Sequence, residues 1–165
     1  ACLKGIEYIK NRTENEKPDI VVFLDGDYSD HPEEMVLLVQ ALLNGNDMVI
    51  GSRALGDMES GAMMPQQVFG NWLATTLIQL FYNYQFTDLG PFRAIRYAKL
   101  IEIDMQDRDF GWTVEIQVKA AKHKLRCKEI PVTYRRRIGV SKVSGTIKGT
   151  ILAGHKILWT IFKLL

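Results

Sequence analysis

An α/β fold with a mixed, mostly parallel sheet flanked by helices is predicted by two observations. Short apolar runs, "IVVFL" and "DMVIGSR", alternate with longer segments of helical spacing. Acidic or basic residues then gather where those runs end, as ligand-binding residues do beyond the carboxyl ends of strands in open α/β sheets. The 165 residues suit one domain with a substantial core, and 47% apolar with 24% charged residues is ordinary globular usage.

The opening "ACLKGIEYIKNR" is already in helical spacing, with Leu3 and Ile6 on one face, and "NRTENEKPD" is a polar linker. Such a start is expected of a fragment whose first strands are missing. The strand "IVVFL" follows, then the helix "HPEEMVLLVQALLNG", with Pro32 in its first turn and Gly45 near its stop. "DMVIGSR" is a second strand and "ALGDMESGAMMP" a loop. A long helix runs from about Gln66 to Tyr84, "GPFRAIRY" is a strand and "TVEIQVKAAKHK" a helix. In the strand "LRCKEIPVTYR", Pro131 argues for an edge or a bulge. The loop "RRIGVSKVSG" leads to the closing helix "TIKGTILAGHKILWTIFKLL". The expected division is an incomplete catalytic domain over residues 1–145 and an amphipathic helix over 146–165.

Composition excludes some classes. A net charge of +2 does not suggest a nucleic-acid binder, and the basic residues of "YRRRIGVSK" suit a small or localised anion. Cys2 and Cys127 have no metal-ligand spacing and fit a reduced, cytoplasmic setting. No signal-peptide pattern and no uncharged apolar run of bilayer length is visible.

The residues that could carry chemistry stand at strand ends. Asp25 and Asp27, separated only by Gly26, are two like charges whose repulsion at ~5 Å and an effective dielectric of about 20 is about 3 kcal/mol. Mg²⁺ or Mn²⁺ would offset it, since Mg²⁺ takes one or two carboxylates and completes its shell with water and substrate phosphate. The plainer reading is a turn, as Asp-Gly is a common turn dipeptide. Arg53 ends the next strand, and "DLGPFRAI" offers Asp88 and Arg93, whose planar fork suits phosphate. Arg135, Arg137, Ser141 and Lys142 surround Gly139 in a basic loop that could close on a diphosphate, or form only a solvated charge run. Glu115, one turn into a helix behind Thr113, is either a general base or a helix-dipole partner. The three histidines form no ligand or catalytic set.

In order, "FLDGDYSDHPEE", "GSRALG", the Gln-Gln-x-x-Gly-Asn start of the long helix, "DLGPFRAI", "GWTVEIQVKAA" and "EIPVTYRRRIGVSK" resemble the family 2 glycosyltransferases of GT-A fold, in particular the branch around dolichyl-phosphate mannosyltransferase. The resemblance runs from about residue 18 onward. It implies a nucleotide-diphospho-sugar transferase fold and transfer of a sugar, with inversion, to a lipid-phosphate or glycan acceptor in cell-envelope polysaccharide or glycolipid synthesis. It assigns Asp25 and Asp27 to the metal and puts Glu115 where inverting members often have an acidic base; Asp88 is the second catalytic candidate. Arg53, Arg93, Arg135, Arg137, Ser141 and Lys142 would meet the donor diphosphate or the acceptor phosphate. Ser29 stands where the mannosyltransferase branch commonly has Gln, which weakens a claim to mannose. A second reading remains open, since "VVFLDGDYS" also resembles the first motif of haloacid-dehalogenase-type phosphatases, with Asp25 as nucleophile. A third is a non-catalytic binding fragment.

Two further expectations concern association. The isolated fragment, lacking its first strands, is expected to be inactive, to bind nucleotide sugar poorly and to self-associate. In the closing helix, Lys148, His155, Lys156 and Lys163 share one sector beside a broad apolar arc. Residues 147–165 are therefore expected either to pack on the sheet or on a partner subunit, or to lie peripherally on the inner face of the membrane.

Overall fold

The computed structural model describes residues 1–139 and 147–165. Among these residues four strands, β1 (Ile20–Phe23), β2 (Met48–Ser52), β3 (Arg93–Arg96) and β4 (Cys127–Pro131), form one sheet in the order β1-β3-β2-β4. β3 runs antiparallel to both of its neighbours, while β2 and β4 are parallel. β1, β2 and β4 thus share one direction, and their carboxyl ends open on the same side. The sheet is mixed, with β3 as its one reversed strand.

Among the described residues six α-helices flank it: α1 (Cys2–Lys10), α2 (Met35–Leu43), α3 (Pro65–Tyr82), α4 (Tyr97–Glu102), α5 (Trp112–Lys122) and α6 (Ile147–Lys163). The period-two alternation of strand side chains divides the core into two layers. Met48 and Ile50 of β2 and Ile95 of β3 face a cluster that includes Ile6 of α1, Ile78 of α3, Val114 of α5 and Ile161 of α6. Val49 and Ala94 point the other way, onto Leu38, Ala41 and Leu42 of α2. All five residues of β2 are buried, which is why it opens with the apolar run Met48–Ile50 and carries no charged residue.

The elements differ from expectation in two places. The strand expected over "GPFRAIRY" begins only at Arg93, because residues 87–90 are held as a turn by side chains. It also ends at Arg96, opposite Ile20, the first residue of β1, and the chain turns at once into α4. α3 begins at Pro65 and stops at Asn83, whose φ of 51° takes the left-handed conformation common just past helix ends. Pro131 is the last residue of β4, on an edge of the sheet, as its lack of an N–H requires. α6 packs against α3 and α5, and the Tyr82 hydroxyl donates to the Ile161 carbonyl.

Candidate functional site

β1 delivers the chain to the two acids. Asp27 folds its own turn, since its Oδ1 accepts the Ser29 N–H at 3.0 Å and the Ser29 hydroxyl. Between them Tyr28 has a φ of 76°, a conformation costly for a residue with a Cβ and one that clusters at functional sites. Burial works to raise the Asp27 carboxyl, but Ser29 and Arg137 outweigh it and hold the group below the ordinary range. Asp25 moves the other way. The loops around it desolvate its carboxylate and Asp27 repels it, so its affinity for a proton is raised. Among the described residues, nothing donates a hydrogen bond to that carboxylate.

A third acid, Asp30, was not picked out from the sequence. It is buried, its Oδ2 accepts the Asp25 N–H at 2.9 Å, and its Oδ1 is buried without a partner among the described residues. Burial pushes its carboxyl up to about 6. Between about pH 4 and pH 6 the folded state therefore binds more protons than the unfolded chain, and stability falls as pH rises through that window. Asp30→Asn keeps an acceptor for Asp25 and removes the buried charge. At pH 7.5 it should raise Tm by roughly 2–4 °C, worth about 1 kcal/mol, with the gain shrinking toward pH 4. Thermal unfolding at several pH values checks this.

The basic segment after β4 is docked on the acid loop. Tyr134 bridges to Asp30 in antiparallel fashion, the Arg135 N–H donates to the Ser29 carbonyl at 3.1 Å, and the Ile138 N–H to the Asp27 carbonyl at 2.8 Å. The Arg135 guanidinium lies 3.4 Å above the Tyr28 ring and donates to the carbonyls of Tyr28 and Asp30. Arg137 pairs with Asp27 Oδ2.

Arg53 and Asp88 reach the same region from the end of β2 and from the turn before β3. Asp88 is 1% exposed and takes both Nε and Nη2 of Arg53, at 2.8 and 2.7 Å, and also the Arg53 N–H at 2.8 Å. Burial opposes the Arg53 charge, but Asp88 more than offsets it and holds the guanidinium protonated. The Arg53 guanidinium also lies 5.0 Å from the centre of the Tyr134 ring.

Two of the expected site residues are turned elsewhere. Arg93 is fully buried and donates to the carbonyls of Thr113, Leu89 and Gly90, while its Nε has no partner among the described residues. Burial lowers its affinity for a proton to about 10. Its guanidinium thus meets backbone beneath α5 and not the open crevice. Glu115 is also buried, accepting the N–H groups of Gln106 and Asp107 at 3.0 and 2.7 Å and pairing with Lys119 at 2.8 Å. It lines a cavity of about 270 Å³ between the 106–109 loop and α6, with Arg108, Lys156 and Trp159 on its walls. Among the described residues no contact joins Glu115 to Asp25 or Asp27. Ser141 and Lys142 lie outside the described residues.

Asp25, Asp27, Arg53, Asp88, Arg135 and Arg137 are therefore the expected residues brought into one cluster. Its chemistry fits a hard divalent cation. Asp25 offers a carboxylate that accepts no hydrogen bond among the described residues and whose proton affinity is raised first by burial and then by Asp27, and Asp27 would exchange Arg137 for the metal. Among the described residues no group of three or more His, Cys, Asp or Glu could hold an ion. The two carboxylates match the small protein share that Mg²⁺ takes when water and phosphate complete its shell.

No protein-family model matches the chain. Among curated proteins it is 30% identical to an undecaprenyl-phosphate mannosyltransferase of Micrococcus luteus, over 79% of this chain and 56% of that protein. It is 28% identical to a polyprenol monophosphomannose synthase of Mycolicibacterium smegmatis, over 77% of this chain and 50% of that protein. A glycosyltransferase of Haloferax volcanii is 29% identical over 71% of this chain and 39% of its own length. The chain spans about half the length of the curated relatives it matches.

Proposed function

Given that the chain belongs to the dolichyl-phosphate mannosyltransferase-like glycosyltransferases, we propose that the whole protein moves a sugar from a nucleotide-diphosphate sugar to a lipid-linked phosphate, with inversion. The observation that carries this reading is the docking of Arg135 and Arg137 onto the loop of Asp25 and Asp27, with Arg53 held beside them. Acids and fixed guanidinium groups in one cluster suit a diphosphate that arrives with a cation.

Asp25 and Asp27 would hold Mg²⁺ or Mn²⁺. When bound, the ion supplies positive charge against the departing diphosphate. Arg135 and Arg137 would meet the diphosphate oxygens, Arg137 leaving Asp27 to do so. Arg53, fixed by Asp88, keeps a positive charge near the acids. An acceptor that is already a phosphate anion needs no general base, which agrees with a Glu115 engaged by two backbone N–H groups and Lys119. The aspartyl-phosphatase reading of the same acid loop is not favoured, because the similar curated proteins are glycosyltransferases.

The test is to supply the whole protein with a nucleotide-diphosphate sugar, a short polyprenyl phosphate and Mn²⁺. A glycosylated polyprenyl phosphate and one nucleoside diphosphate per transfer are expected. Release of the nucleotide with free sugar as the sole product would overturn the acceptor assignment.

The proposal extends to the inner face of the membrane. No helix among the described residues is long and apolar enough to cross one. Ile151, Leu152, Trp159 and Phe162 of α6 are nevertheless exposed, as are Phe69 and Trp72 of α3. Such an arc with lysines at its margin suits contact with anionic headgroups, each lysine adding about 1 kcal/mol. Vesicle co-sedimentation should therefore be strong with anionic lipid at low salt and weaken at physiological salt. Unchanged binding after Trp159→Ser and Phe162→Ser would exclude α6 as the contact. β1 also leaves one strand edge unpaired among the described residues, and this supports self-association of the 165-residue chain in isolation.

A further inference from the structure

Residues Thr87 to Gly90 form a turn whose backbone is held by side chains from three sides. The Glu129 carboxylate of β4 accepts the N–H of Thr87 at 2.9 Å and that of Asp88 at 3.1 Å. Asn71 of α3 donates to the Thr87 carbonyl at 3.0 Å and accepts the Leu89 N–H at 2.8 Å. Gln117 of α5 donates to the Asp88 carbonyl at 2.9 Å, and Arg93 takes the carbonyls of Leu89 and Gly90. The Thr87 hydroxyl is tied to that of Ser52, at the end of β2, at 2.7 Å. Gly90 completes the turn, since a Cβ there would meet both Asp88 Oδ2 and the Gly51 carbonyl at 2.9 Å.

Ordinary turns satisfy these groups with water or with their own i to i+3 bond. Here Asn71, Gln117 and Glu129 converge on three successive residues, and Gln117 is fully buried. The acidic side chain that this turn presents is Asp88, and all three of its contacts with Arg53 depend on where the turn sits. Arg53 in turn acts electrostatically on Asp25 and Asp30.

We propose that Glu129 and Asn71 are positioning residues: they fix the backbone of Thr87, Asp88 and Leu89 so that Asp88 holds the Arg53 guanidinium at a set place beside the acid loop. Glu129 is the stronger of the two, because one carboxylate aligns two successive N–H groups. Gln117 holds the same turn from the α5 side. The inference rests on the reading that Arg53 borders the reacting phosphates. Preorganised charge of that kind acts through its placement, and small misplacements cost rate more than fold.

Glu129→Gln in the whole protein is the test, since the neutral amide removes the charge that strengthens both bonds and sets an NH₂ donor where Oε2 now accepts the Thr87 N–H. Three quantities are read: thermal stability, hydrogen exchange of the Arg53 Nε–H by ¹⁵N NMR, and kcat with KM for the nucleotide sugar in Mn²⁺. The expected result is a folded variant whose Arg53 Nε–H exchanges roughly 10-fold faster. Its kcat should fall about 10- to 100-fold, with KM changed less than about 2-fold. A folded variant with Arg53 exchange and kcat at wild-type values overturns the proposal. Asn71→Ser, read by the same signals, decides the matter if Glu129→Gln does not fold. Should the wild type transfer no sugar, the functional reading fails, and the exchange of Arg53 Nε–H still decides whether Glu129 positions it.

Discussion

Replacing Asp88 with alanine should cost about 3–5 kcal/mol of folding stability, the range for breaking a buried ion pair by removing one partner. The side chains of Asp88 and Arg53 are 1% and 11% exposed, and the carboxylate accepts three bonds from that one residue. Its loss leaves a guanidinium facing the Tyr134 ring with no carboxylate to offset its burial. Exposed pairs such as Lys99 with Glu102 carry no such penalty and contribute little. The check is chemical denaturation of the wild type, Asp88→Ala and the double variant Asp88→Leu with Arg53→Met. The double variant should recover most of the loss, because two apolar groups need no partner. A loss below about 1 kcal/mol for Asp88→Ala would show that the pair does not hold the site together.

Asp27→Asn should lower metal-dependent turnover by about 10²- to 10³-fold, the scale for removing one preorganised electrostatic element. The fold should survive. Asparagine keeps the oxygen that accepts from Ser29, and the pair lost with Arg137 is partly exposed, so the cost in stability is about 1 kcal/mol or less. Turnover measured against Mn²⁺ concentration, with a chelator control, checks this. Full activity of the variant in chelator would remove the metal role.

The sequence carried most of the fold because strong local signals agreed with it. "IVVF" and "MVIGS" are short apolar runs bounded by polar segments, and both are strands. The acid pair and the basic loop were visible for the same reason, since charges placed just past strands stand out against apolar neighbours. Their mutual contact was not visible, because Tyr134 meets Asp30 across more than a hundred residues.

The orientation of Arg93 was available but unread. Alternation places Arg93 on the same face of β3 as Ile95, the face covered by α5, while Phe92 and Ala94 face α2. An arginine on a helix-covered face is directed to backbone carbonyls, as the contacts with Thr113 and Leu89 show. Glu115 lacked even that clue. Its partners are N–H groups of a loop 8 and 9 residues earlier in the chain, and only the closed loop brings them to the carboxylate. Asp30 was not singled out, because its burial goes with the docked basic segment, which no local pattern announces. The short α4 has neither a capping side chain nor a long periodic stretch, so nothing in "YAKLIE" separates it from the strand before it.

The central claim is that Asp25 and Asp27 receive a nucleotide-diphosphate sugar together with a divalent cation. Isothermal titration of the whole protein with the donor sugar nucleotide, in Mn²⁺ and again in chelator, tests it most directly. Binding in Mn²⁺ is expected to weaken at least 10-fold, or about 1.4 kcal/mol, in chelator. Asp27→Asn should show the weak value in both conditions. Equal affinity in Mn²⁺ and in chelator, unchanged by Asp27→Asn, would contradict the claim.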